Sequence, residues 1–273
     1  MYNDRLVYTN TAGKSIEMYA QGKYAVNIDN GVTGLDNVKT TIYRDTVVDR
    51  DGSIKTGLHI EERDIKITGF IDADNATERD LLIAELQEVF SPFYSGVIRF
   101  EGNYAKEIDV EPEEAPEIIY QTEGRPTEFS LSLVALNPTW RAASAKTKTI
   151  PAGGTNVYYE GTRACGMEIT ITAGADNVDM ENFSVSSGGP VETVSFRTGG
   201  GVYLSTGDVL KLAIGLDSVE ITKNGINALE RIDFTNTVFP KLYPGNNAIS
   251  WNAHGDEADF AVSIRYTPLY LGK

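Results

Sequence analysis

The chain has 273 residues, 41% of them hydrophobic and 23% charged, with a formal net charge of −15. That length favours two domains over one core, and the composition is that of a soluble globular protein. No stretch approaches the roughly 18 apolar residues of a membrane-spanning helix, the polar start MYNDRLVYTNTAGKS lacks a secretory leader pattern, and a lone cysteine, Cys165, excludes a disulfide framework or a cysteine-rich zinc site within one chain. The acidity is uneven. Residues 1–137 hold 25 acids and 13 bases, the remainder 14 and 11. Such a first half repels phosphate backbones, so tight nucleic-acid binding is not expected, and the charge serves either solubility or a surface that sits beside nucleic acid without sticking to it.

In chain order, the first half reads mainly as strands. Val38 to Arg50 is rich in Thr, Val, Ile and Tyr, and Asp51-Gly52 follows as a turn signal, since glycine accepts positive φ. Ser53 to Glu61 is the returning arm. The two arms are long and polar at many positions, as in a projecting hairpin that pairs with something outside its own core or in a solvated ribbon. Arg63 to Ile71 alternates, with Ile65, Ile67 and Ile71 on one face. A helix is predicted over Glu78 to Phe90, with Thr77 as N-cap, an apolar stripe of Leu82, Leu86 and Val89, and a stop at Ser91-Pro92. Strands are expected at Val97 to Phe100, Lys106 to Val110 and Phe129 to Leu136. The acidic segment from Glu111 to Glu117 reads as a solvated loop. A first domain therefore covers residues 1–140, and the small, basic, Gly/Pro-punctuated stretch 141–154 reads as a linker.

Residues 155–273 are nearly free of helical periodicity. Short strand patterns recur at Met167 to Thr172, Phe183 to Ser186, Thr193 to Arg197, Val202 to Leu204, Val209 to Ile214, Val219 to Thr222 and Phe260 to Tyr266. Turns are signalled at Lys223-Asn224-Gly225 and Pro244-Gly245-Asn246-Asn247. Seven or more short strands at this spacing favour a β-sandwich. Ile249 and Trp251 share the period of a half-buried strand, so Trp251 is expected in the core.

Motifs for chemistry are few. His59 and His254 fall in different domains, so they make no shared metal site. The carboxylates beside His254 (Asp256, Glu257, Asp259) read as a solvated loop. Asp72-Ala73-Asp74-Asn75 starts like a calcium loop but has Ala76 and Thr77 where a ligand and a glycine belong. Gly199-Gly200-Gly201 has no helix after it and reads as a turn rather than a phosphate cradle. No nucleophile elbow or zinc-protease motif occurs. Cys165, between Ala164 and Gly166, reads as a buried, inert thiol. No enzyme activity, cofactor or metal is expected.

The order of segments says more than any one of them. The turn Arg50-Asp51-Gly52-Ser53 leads into Arg63-Asp64-Ile65-Lys66-Ile67-Thr68-Gly69. A helix then ends at Phe90-Ser91-Pro92, strands close on Leu136-Asn137-Pro138, and Phe239, Leu242, Tyr243 and the Pro244 turn come far downstream. This arrangement resembles the distal tail proteins of long-tailed phages and prophages of Gram-positive hosts. The resemblance implies a ring-forming N-terminal β-domain with one short helix and a C-terminal galectin-like β-sandwich. It also implies a hub of six copies that joins the tail tube to tail-tip, baseplate and receptor-binding proteins. DNA would pass through its lumen without specific binding. The place implied is the virion tail tip, reached after assembly in the host cytoplasm, with no membrane contact. Ile42, Tyr43, Val47, Val48 and Ile54 are the candidate ring-interface residues of the hairpin. The alternative is a carbohydrate-binding tail protein that grips host cell-wall saccharide through the second domain. Galectin-type sites set a histidine, an asparagine and an arginine beside a stacking tryptophan. Trp251, Asn252 and His254 cluster here, and the rest of that pattern is absent.

Overall fold

The computed structural model describes residues 4–46, 51–120, 126–197, 203–254 and 257–273. The chain divides into two units, Met1–Ala143 with Tyr270–Lys273, and Ser144–Leu269.

In the first unit, β1 (Arg5–Asn10) and β2 (Ser15–Tyr19) precede β3 (Tyr24–Ala25), the single-turn helix α1 (Ile28–Gly31) and β4 (Val32–Thr33). A hairpin of β5 (Thr40–Thr46) and β6 (Ser53–Ile60) leads into β7 (Arg63–Ile71) and helix α2 (Ala76–Val89). Then follow β8 (Gly96–Glu101), β9 (Lys106–Pro112), β10 (Glu117–Ile119), β11 (Thr127–Ala135) and β12 (Trp140–Ala142). The sheet runs β11-β7-β3-β2-β1-β8-β9, and β11 also pairs with β9 through Leu133↔Pro112 and Val134↔Glu111. A strand bonded at both ends of that path closes the sheet into a barrel, which removes most of its free edges.

The barrel follows from period-two sequence. Along β7 buried and exposed residues alternate without a break, so Ile65, Ile67 and Ile71 point inward as their spacing predicts. Phe129, Leu131 and Leu133 of β11 do the same. Gly69 is the close-approach point. A Cβ there would sit 2.6 Å from the Ala25 carbonyl oxygen and 2.8 Å from the Phe129 ring, so no larger residue fits. Strands β1 and β2 had no counterpart in the sequence reading. Their inward residues Leu6, Tyr8, Ile16 and Met18 are nonetheless fully buried.

Helix α2 starts earlier than predicted. Its N-cap is Asn75, not Thr77: the Asn75 side chain accepts from the Glu78 N–H at 3.0 Å, and Glu78 Oε2 accepts from the Asp74 N–H at 3.0 Å. The asparagine and the glutamate three residues later thus satisfy two amides at the helix start, the logic of a capping box. Leu82, Ile83, Leu86 and Val89 face the core, and Phe90 stacks on Tyr8 with ring centroids 4.2 Å apart.

The second unit contains two antiparallel sheets around one core. The first runs β13 (Lys146–Ile150), β22 (Phe260–Tyr266), β15 (Met167–Ala173), β18 (Val209–Ile214), β19 (Val219–Lys223), β20 (Ile226–Asn227). The second runs β14 (Thr155–Tyr159), β21 (Gly245–His254), β16 (Asp179–Ser186), β17 (Glu192–Ser195). Strand β13 lies inside the stretch expected as a linker: its Lys146 to Ile150 pair with Tyr266 to Val262. The turn at Asn224-Gly225 has φ of 50° and 80°, as the hairpin signal requires. The second predicted turn is shorter than expected. Gly245 turns the chain at φ 95°, while Asn246 and Asn247 already belong to β21. Asn247 is fully buried, and its side chain bonds the Tyr243 and Gly245 carbonyls and accepts from the Tyr243 N–H. Of the predicted strand Val202 to Leu204, Leu204 forms a single bridge to Val178. Val202 and the Gly199-Gly200-Gly201 turn lie outside the described residues.

Candidate assembly surfaces

The β5–β6 hairpin is a two-stranded sheet that pairs with no other strand among the described residues. An isolated two-stranded ribbon is marginal in water, so its large exposed apolar side chains stand out. Ile42 is 43% exposed, Tyr43 55%, Ile54 49% and Leu58 51%. Val47 and Val48, the other two candidates, lie outside the described residues, and the last pair before the turn is Thr46↔Ser53.

The ribbon has two unlike faces. The register pairs Ile42 with Leu58 and Tyr43 with Gly57, then shifts, so that Arg44 opposes Lys55 and Asp45 opposes Ile54. The shift leaves Thr56 as an extra, bulged residue. It therefore lets Leu58 and Lys55, three residues apart, share a face. That face carries an apolar pair, Ile42–Leu58, followed by a basic pair, Arg44–Lys55. Like charges directly opposite on a ribbon repel, and both side chains are exposed. The site thus offers apolar surface and exposed positive charge in a chain of net charge −15.

The root of the hairpin is densely hydrogen-bonded. Arg63, the first residue of β7, is 3% exposed. Its guanidinium donates to the carbonyls of Gly34 (2.6 Å), Leu35 (2.9 Å) and Asn37 (3.1 Å) on the segment that enters the hairpin, twice to Pro138 (3.2 and 3.0 Å), and to Leu271 (2.7 Å). Burial pulls its pKa below the usual guanidinium value, while nearby Asp36 raises it. The Trp140 indole N–H also bonds the Leu35 carbonyl at 3.0 Å. Across the strands, the Glu61 N–H bonds the Lys39 carbonyl at 3.0 Å, and the Lys39 ammonium meets Asp64 at 2.8 Å. The exposed ribbon is thereby tied to the barrel at its base. Nothing in the spacing marks Arg63 as more than the start of an alternating strand.

A second surface lies on the outside of the barrel. Strand β10 is an edge, bonded on one side to β11 and on the other to no strand among the described residues. The acidic stretch expected as a loop therefore has strand at both ends, in β9 up to Pro112 and in β10 from Glu117. The registers Ile119↔Glu128 and Glu128↔Phe70 put Ile119, Glu128 and Phe70 in one row across three strands. Glu117, Ser130 and Thr68 form the next row. Ile119 is 40% exposed and Phe70 43%. Ile119, Glu128, Phe70, Ser130 and Thr68 line a groove of about 310 Å³ together with Asn27, Asn30 and Gly31.

The residues considered for saccharide do not form one surface. Trp251 is buried, donates its indole N–H to the Ile150 carbonyl at 3.1 Å and meets Phe260 edge-on with centroids 6.0 Å apart. Alternation along β21 turns Asn252 and His254 to the opposite face, exposed, with His254 Nδ1 3.8 Å from Glu181 Oε1. The ring that would stack on a sugar is packed in the core. Asp256 lies outside the described residues, and His59 is exposed on β6 in the other unit. Among the described residues no group of three or more His, Cys, Asp or Glu could hold a metal. Burial pushes the Cys165 thiol up to about 11, which leaves little thiolate at neutral pH. A cavity of the first unit, about 690 Å³, is lined by Asp4, Tyr19, Asp29, Tyr104, Lys106 and Lys273 among others. It is an open polar hollow without a nucleophile–base pair.

Residues 12–123 match the family model described as the phage tail protein RIFT-related domain. In fold the whole chain is similar to the SPP1 Dit (gp 19.1) protein, with a TM-score of 0.69 at 12% identity over 97% of this chain and 99% of that one. The chain resembles a phage distal tail protein. The SPP1 protein is described as a paradigm of the hub adsorption apparatus in phages that infect Gram-positive hosts. A chain of the phage P2 baseplate, in its activated conformation with calcium, is matched at a TM-score of 0.43 and 9% identity over 97% of this chain and 98% of that one. No curated protein matches the sequence.

Proposed function

We propose that this chain is the distal tail hub of a long-tailed phage or prophage of a Gram-positive host. Six copies close into a ring at the end of the tail tube and carry the tail-tip, baseplate and receptor-binding proteins. The second unit is a galectin-like module outside the ring, DNA passes the acidic lumen without adsorbing, and the protein works through interfaces with no bond-making centre. Its place is the virion tail tip, after assembly in the host cytoplasm. The observation that carries the reading is the similarity in fold to a hub protein over essentially the full length of both chains. The exposed apolar hairpin supports it, because a head-to-tail contact that closes by rotation yields a ring and covers such a ribbon. Negative-stain images of the purified chain test it. Closed rings with six peripheral lobes are expected, and uniformly single particles of one chain would contradict it.

A further inference from the structure

We propose that residues 270–273 are a latch that sets the root of the hairpin only after the second unit has been made. Its consequence for assembly rests on the ring reading. The chain leaves the first unit after Ala143 and returns to it with Tyr270–Lys273, so the last part of this unit is translated after all of Ser144–Leu269. Tyr270 lies on a short strand, β23 (Leu269–Tyr270), next to β12 in the sheet. The returning residues meet the segment that enters the hairpin. The Leu271 carbonyl accepts from Arg63 at 2.7 Å, and the other donors of that guanidinium hold Gly34, Leu35, Asn37 and Pro138. The Gly272 backbone packs on residue 36, where an added Cβ would lie 3.2 Å from the Asp36 carbonyl oxygen. The Gly272 carbonyl accepts from the Lys106 ammonium at 3.1 Å, and that ammonium sits 4.1 Å from the centre of the Tyr270 ring.

Two cations of the barrel, Arg63 and Lys106, therefore complete their hydrogen bonding on carbonyls that arrive last. Until then both keep donors turned to water, and water competes for the carbonyls that fix the entry segment. Tyr270, Leu271, Gly272 and Lys273 are all half-buried and held largely by polar contacts, which places the latch among the parts of the unit that open most readily. An unfinished chain thus carries its exposed apolar ribbon on an unset root. A finished chain holds the ribbon at its base and presents it ready for contact, which lowers the ordering cost of association.

Two full-chain variants test the latch. Lys106→Met with Gly272→Val lifts it without altering Arg63 or the hairpin. Hydrogen exchange at the Glu61 amide, which bonds the Lys39 carbonyl at the root, should quicken by about tenfold or more, while the β7 amides paired with β11 stay unchanged. The concentration needed for self-association should rise by about tenfold. Asp36→Cys with Gly272→Cys does the converse, since an added Cβ at Gly272 lies 3.5 Å from the Asp36 Cα, within reach of a disulfide. Its oxidised form should exchange and associate like the parent, and its reduced form like the lifted variant. That comparison decides the matter should the first variant fail to fold. Root exchange that stays at the parent rate in the lifted and reduced chains would overturn the latch. Quickened exchange with unchanged association would overturn its role in assembly. A parent that stays monomeric would overturn the ring reading and that role with it, and the exchange comparison would still decide the latch.

Discussion

The guanidinium of Arg63 donates two hydrogen bonds to the carbonyl oxygen of Pro138, at 3.2 and 3.0 Å. Its remaining donors reach four further carbonyls, three of them on the segment that enters the hairpin. A buried cation is tolerated because every direction it points in holds an acceptor. This one residue therefore couples the root of the exposed ribbon to the end of the barrel's last long strand.

Replacing Arg63 by Met would remove the charge but strand several buried carbonyls. The expected loss is at least about 3 kcal/mol of unfolding free energy, read from urea denaturation. Lysine would not rescue it, since a point charge cannot reproduce the planar fork. A loss within about 0.5 kcal/mol would show that the carbonyls find water instead.

The hairpin itself should behave in the opposite way. Ile42→Ser with Leu58→Ser removes exposed apolar surface, so monomer stability should change by no more than about 0.5 kcal/mol. Self-association, followed by light scattering, should weaken sharply. A large loss of stability without loss of association would mean that the ribbon serves its own chain.

At the start of α2, Asn75→Ala should cost about 1 kcal/mol, while Thr77→Ala should cost a few tenths. Equal effects would contradict the assigned cap. This contrast also shows how far the sequence could be read. Asn75-Ala76-Thr77-Glu78 carries the capping signal in plain view, but threonine beside the apolar stripe competes with it, and only geometry separates the two. Period-two runs such as Arg63–Ile71 revealed their inward faces directly. Strands β1 and β2 did not, because they are short and carry their tyrosines and methionines among polar residues. The β10 groove could not be read at all: Ile119, Glu128 and Phe70 are distant in sequence and meet only through strand register. The Arg44–Lys55 pairing likewise depends on the bulge at Thr56, which no spacing rule announces.

In the second unit, Trp251→Ala should cost about 3–5 kcal/mol as a core cavity, whereas His254→Ala should be near neutral. Host polysaccharide should leave the Trp251 fluorescence unchanged. Saturable quenching would mean that the ring leaves the core.

Acid should loosen the same unit through Asp208. The side chain of Lys223 holds the Asp208 carboxyl below the ordinary range, helped by the Ser205 N–H and the Asn224 amide. A carboxyl depressed in the folded state contributes stability above its unfolded pKa of about 4, and that contribution is lost as pH falls toward the folded value. Asp208→Asn should therefore show a smaller fall in Tm than the parent between about pH 5 and about pH 2.5. Parallel Tm curves would remove Asp208 from the account.

The claim that this chain acts by joining copies of itself is tested most directly by the native mass of the intact protein. A closed multiple of the 29.8 kDa chain, six copies, is expected, and it should dissociate on Ile42→Ser with Leu58→Ser. A mass of one chain at the highest concentration attainable, unchanged by those substitutions, would contradict it.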